Sequence, residues 1–175
     1  MYVHDASSSD KNTHTGDLPN FHIPHMEKIE WMVETFGWAT ESVDPGVAKV
    51  ANGSPFPTYS YTLNFTEVTT FPNVVVCGLT PVACKGLFDL VVDVVAAGNS
   101  IEIGAELLGL FDGEQRARFV PVAMDDWGHL FATATSWYKK KSFSVVQLLW
   151  PDRNGFLPGE VGFDQRLTFA QPLLG

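Results

Sequence analysis

Apolar residues recur at Ile29, Met32, Val33 and Phe36, the spacing of one stripe along an amphipathic helix that closes at Gly37. Glu27, Glu30 and Glu34 fall on the opposite side. Residues 38–43 then read as a short strand, Asp44-Pro45-Gly46 as a turn, and residues 58–65, rich in aromatic and β-branched side chains, as a second strand. The continuous apolar run over residues 73–79 suits a strand buried on both faces. Thr80 supplies an N-cap, Pro81 the first helical position and Gly98 the stop of a long helix, whose buried face is expected at Ala83, Leu87, Leu90 and Val94. Short strands are expected over residues 100–103 and 117–122. A second strong helix, capped by Asp125, is expected to bury Trp127, Leu130, Phe131 and Ala134 with Trp137 or Tyr138. The last strand spans residues 143–150 and runs into the turn Pro151-Asp152-Arg153-Asn154-Gly155.

Strands and helices in this mixture predict one α+β domain over residues 21–175, with a mixed or antiparallel sheet packed against two to three helices. Residues 1–20 are rich in Ser, Asp, Asn and Thr, lack apolar periodicity, and read as a disordered leader. No internal repeat is evident.

Composition narrows the function classes. The 175 residues are 45% hydrophobic, enough for a substantial core and too apolar for a disordered chain. The apolar runs are shorter than the roughly 20 residues of a membrane-spanning helix. With no secretory signal pattern at the start, a soluble protein of the cytoplasm is expected. A net charge of −9 disfavours nucleic acid and anionic membranes as partners. That charge is local: residues 27–112 carry eleven acids and three bases, whereas residues 113–175 carry six acids and seven bases.

Chemistry-bearing motifs are sparse. The His22-Ile23-Pro24-His25 spacing is interrupted by proline and has no third ligand beside it, so no metal site is expected. Cys77 and Cys84 read as buried free thiols. His129 follows Asp125 and Asp126, yet the chain has no nucleophile elbow to complete a relay, and no catalytic residue is assigned. The acidic helix face, with Glu41 just beyond it, offers a dock for a basic protein surface through Glu27, Glu30, Glu34 and Glu41.

The C-terminal text Val145-Val146-Gln147-Leu148-Leu149-Trp150-Pro151-Asp152, then Gly155-Phe156-Leu157-Pro158 and finally Gln171-Pro172-Leu173-Leu174-Gly175, resembles the signature of the domain-of-unknown-function 4262 family. Gly37-Trp38, Tyr59-Ser60-Tyr61-Thr62-Leu63 and the stretch ending in Gly78-Leu79 occur in the family's order, so the resemblance covers about residues 28–175. Asn64 stands where the family usually has glycine, and Gly159 where an aromatic commonly follows Pro158. The resemblance implies an occurrence among bacteria and their phages and brings no established activity.

Two functions are therefore expected in order. The first is a non-catalytic protein-binding module, inhibitor-like or immunity-like, that needs no cofactor. The alternative is a small-molecule or flavin-binding enzyme of split-barrel type, with FMN as cofactor and a ligand site at Tyr61, Thr62, Arg116 and Arg118. Trp150, Pro151, Asp152, Gly155, Pro158, Gln171 and Pro172 are read as architectural, serving a chain reversal and a pinned C-terminal segment.

Overall fold

The structure is a computed structural model that describes residues 25–175. The proposed leader, His22 and the domain's start at residue 21 lie outside the described residues. Six strands form one open mixed sheet: β1 (Ala39–Val43), β2 (Tyr59–Leu63), β3 (Asn73–Cys77), β4 (Glu106–Leu108), β5 (Arg116–Pro121) and β6 (Val145–Leu149), in the spatial order β1-β2-β3-β6-β5-β4. Two antiparallel three-stranded halves are joined by the single parallel pair β3 and β6 at the centre. Both central strands are buried along their whole length, as parallel pairing covered on two faces requires. The sheet ends at β1 and β4 and does not close into a split barrel.

Alternation along each strand creates two cores. One face presents Val74, Val76, Ala117, Phe119, Val146 and Leu148 to helix α3 (Pro81–Ala96), from which Cys84, Leu87, Phe88 and Val91 pack down. The other face presents Tyr59, Tyr61, Leu63, Val75, Cys77 and Val145. A patchwork covers it: α1 (His25–Phe36), α4 (Met124–Trp127), a 3₁₀ turn over Gly128–Phe131, α5 (Ala132–Tyr138) and Leu174 of the C-terminal segment. A further short helix, α2 (Phe65–Thr69), bridges β2 and β3.

The ends of α3 follow local chemistry. Thr80 Oγ1 accepts the Ala83 N–H at 3.2 Å, Pro81 opens the helix, and Gly98 takes a φ of 85° after it. Its buried face is rotated from the expected one. Ala83 and Leu90 are exposed while Cys84, Phe88 and Val91 are buried. The helix carries apolar residues on most of its circumference, so the sheet beneath it, and not periodicity, selects the inward set.

Three other expectations are corrected. The single helix expected from Asp125 is three short pieces, with Asp125 inside the first turn of α4 and Ala123 at the cap position. Residues 100–103 form no strand; the edge strand is β4, three residues further on. Phe36, counted in the buried stripe of α1, is 57% exposed because the helix ends there and the chain turns away at Gly37. Asn64 has φ 59°, a left-handed conformation that glycine adopts freely and asparagine tolerates, so asparagine can stand where the resemblance implies glycine. Its side chain donates to the Gly37 carbonyl and its N–H to the Tyr138 hydroxyl, holding the bend.

Candidate functional site

Of the four acids of the expected dock, three stand on α1 and Glu41 on β1. Glu27, Glu30 and Glu34 are exposed and separated by three and four residues, so they lie on one flank of the helix. Trp31, four residues from Glu27 and three from Glu34, stands in the same flank with 58% of its surface exposed. Its ring meets Phe36 edge to face with centroids 5.8 Å apart. Sequence reasoning missed this aromatic pair, although the position of Trp31 off the Ile29, Met32 and Val33 stripe signals it.

Glu41 does not join that flank. It faces Tyr61 across the β1–β2 ladder, and its side chain is only 12% exposed. Glu41 Oε2 lies 2.6 Å from His25 Nε2, an ion pair when the imidazole is protonated, but without hydrogen-bond alignment. The reason is strand alternation: Ala39, Glu41 and Val43 share the face of Tyr59, Tyr61 and Leu63, under α1. Burial, opposed by hydrogen bonding to Thr133 and reinforced by the Glu41 charge, pushes the Tyr61 phenol up to about 12.

The four residues of the small-molecule alternative do not converge. Tyr61 and Thr62 point to opposite faces of β2, both fully buried, and β3 and β6 separate that strand from Arg116 and Arg118 on β5. Three inter-strand spacings amount to about 14 Å. Thr62 Oγ1 is occupied with the Val74 N–H and the Asn73 amide oxygen. Arg116 is saturated: it donates to Glu106, to both oxygens of Glu160 and to the Gly155 carbonyl at 2.7–2.8 Å. These bonds hold the Glu160 carboxyl below its ordinary range, with the Leu157 N–H assisting. Arg118 makes one hydrogen bond, to Glu106 at 3.4 Å.

The C-terminal motif residues contact backbone. Asp152, 4% exposed, accepts the N–H groups of Asn154 and Phe156 on Oδ1 and of Asp164 on Oδ2, at 2.8–3.0 Å. Gly155 takes a φ of 88° in that turn, and Pro158 is buried behind it. The Trp150 indole donates to the Cys77 carbonyl at 2.8 Å, tying the end of β6 to β3. Gln171 pairs its amide with both the N–H and the carbonyl of Trp150, just as Gln147 pairs with Pro172 and Leu174. Two buried amides thus attach the segment from Gln171 to Gly175, Pro172 included, where no strand partner exists.

Other reactive side chains are occupied or enclosed. His129 Nε2 lies 2.9 Å from the Lys49 carbonyl, and its ring stacks on Trp127. Cys77 and Cys84 are free and buried, and burial pushes both thiols upward. Among the described residues no cluster of three His, Cys, Asp or Glu side chains is placed to hold a metal ion, and no helix is long and apolar enough to cross a membrane.

No curated protein and no solved structure matches the chain. One family model does, over residues 32–164, described as domain of unknown function (DUF4262). That span takes in the whole sheet and the Trp150 to Pro158 motif, and leaves Glu27, Glu30 and the Gln171-Pro172 pair outside. The match covers most of the molecule, and the chain belongs to the DUF4262 family.

Proposed function

We propose that the protein is a non-catalytic binding module that engages a basic, apolar-bearing segment of another protein through the exposed flank of α1. The observation that carries this reading is the Trp31 and Phe36 pair, more than half exposed and set beside Glu27, Glu30 and Glu34. The acids do not serve the helix itself. Glu30 and Glu34 are like charges four residues apart, and Glu34 sits in the last turn, at the negative end of the helix dipole. A tryptophan flanked on one side by carboxylates is the arrangement of an interface anchor, since the ring provides contact area and the acids steer a cationic partner.

The test is capture of a partner by the immobilised protein from a lysate of its own source, at low and high salt, against two variants. Wild type is expected to retain a basic protein at low salt and release it at high salt. Trp31→Ala and the triple variant Glu27→Gln, Glu30→Gln, Glu34→Gln are expected to lose it with unchanged circular dichroism. Retention by either variant, or no specific retention by wild type, overturns the proposal.

A further inference from the structure

On the patchwork face, β5 and β6 leave a strip that no helix covers. A groove of ≈ 590 Å³ runs there, lined by Val120 and Leu149 from the strands, by Pro158 and Glu160 from the loop after β6, and by Leu173 from the C-terminal segment. A second groove of ≈ 310 Å³ continues from it and shares Pro158, Glu160 and Leu173. Volumes of several hundred Å³ suit a small organic ligand. The lining side chains are aliphatic except for Arg118 and Glu160, and the backbone of Gly175 also lines the groove.

Arg118 is the informative residue. Arg116, two positions earlier on the same sheet face, has its guanidinium committed to four short bonds. Arg118 has one bond at 3.4 Å and a second carboxylate contact at 3.9 Å, and its Nε is a buried donor with no acceptor. A buried polar group without a partner is costly, and such a group beside a groove gains when a ligand brings an acceptor. Only that long bond and the 3.9 Å contact hold the Arg118 head, and the residue already lines the groove. The charges fix the kind of acceptor. Two arginines face two carboxylates, Glu106 and Glu160, so the cluster is balanced and offers no net attraction to an anion.

We propose that this groove binds a small uncharged amphiphile, an aliphatic chain ending in an amide or ester carbonyl, with Arg118 donating to the carbonyl and Val120, Leu149 and Leu173 holding the chain. The site lies on the edge opposite to α1 and stands independently of the protein-binding reading.

Octanamide is the probe, titrated into the full chain and followed by amide NMR shifts and calorimetry, with octanoate and octylamine as charged counterparts. Octanamide is expected to shift the signals of Arg118, Val120, Leu149 and Leu173 and to bind more tightly than either charged analogue. Arg118→Ala is expected to weaken it by roughly tenfold or more, the scale of one hydrogen bond from a charged donor. Leu173→Trp, at an exposed position, is expected to fill the groove and abolish binding while the melting temperature holds. Should Arg118→Ala melt far below the parent, Arg118→Gln and Leu173→Trp carry the comparison. The proposal is overturned if octanamide leaves the groove signals unmoved, if octanoate binds more tightly, or if the arginine variants bind like wild type.

Discussion

The two faces of the sheet are covered in different ways. Under α3 the contacts are mostly hydrocarbon, made chiefly by one continuous helix whose ends are capped locally, with Trp38, Phe65, Phe71 and Leu110 completing the core. On the opposite face, α1, three short helical pieces and the C-terminal segment share the work, and buried polar side chains join them: Gln147, Gln171, Asp152, and Asn73 with Tyr138. A cover assembled from so many pieces leaves seams. The groove beside Arg118 is such a seam, and the exposed aromatic pair of α1 lies on an element of the same layer. Structural burden and surface available for binding are thus divided between the faces.

Substitutions on each face measure that division. Phe88→Ala, at a fully buried ring on α3 against Trp38, is expected to cost about 3–5 kcal/mol in urea unfolding, because a rigid hydrocarbon core closes poorly over the cavity. Asp152→Ala is expected to cost about 1–3 kcal/mol, since three part-buried N–H groups lose a charged acceptor. A larger loss at Asp152 than at Phe88 would reverse the contrast drawn between the faces.

Acid pH gives a smaller and separable effect. Glu160 titrates below its ordinary value of 4.5 in the folded protein, so its contribution is present above that pH and fades as the pH falls through the folded value. Wild type is expected to melt above Glu160→Gln at pH 7, and the gap to close as the pH drops below 4.5. A gap that stays constant would remove the Arg116 pairing as its cause. The smallest change is expected at the binding flank: Trp31→Ala should alter stability by no more than about 0.5 kcal/mol in the same urea experiment. A loss of several times that would make Trp31 part of the core support.

Much of this was legible in the chain, and the boundary is physical. Thr80, Pro81 and Gly98 act on their nearest neighbours, so the ends of α3 were readable. Its inward face was not, because a helix with valines and leucines around it has no single stripe for periodicity to find. The break at residues 128–131 escaped for a related reason. The apolar spacing of Trp127, Leu130, Phe131 and Ala134 fits a continuous helix, and only packing imposes the tighter 3₁₀ turn. Among the site residues, Glu27, Glu30 and Glu34 were readable from helical spacing alone. Glu41 was misplaced because the face of a strand residue depends on the register of its partner, here Tyr61.

Taken by itself, the sequence determined what short-range chemistry controls: the element types, most strand positions, the turn at Asp152, the acidic flank of α1 and the family. Only the tertiary structure decided what long-range pairing controls. Separating Tyr61 and Thr62 from Arg118, binding Arg116 to Glu160 and leaving Arg118 nearly unpartnered all depend on strands distant in the chain lying side by side. Two arginines two residues apart are chemically alike in the text. Their different fates come from the neighbours that folding brings, and no local rule contains those neighbours.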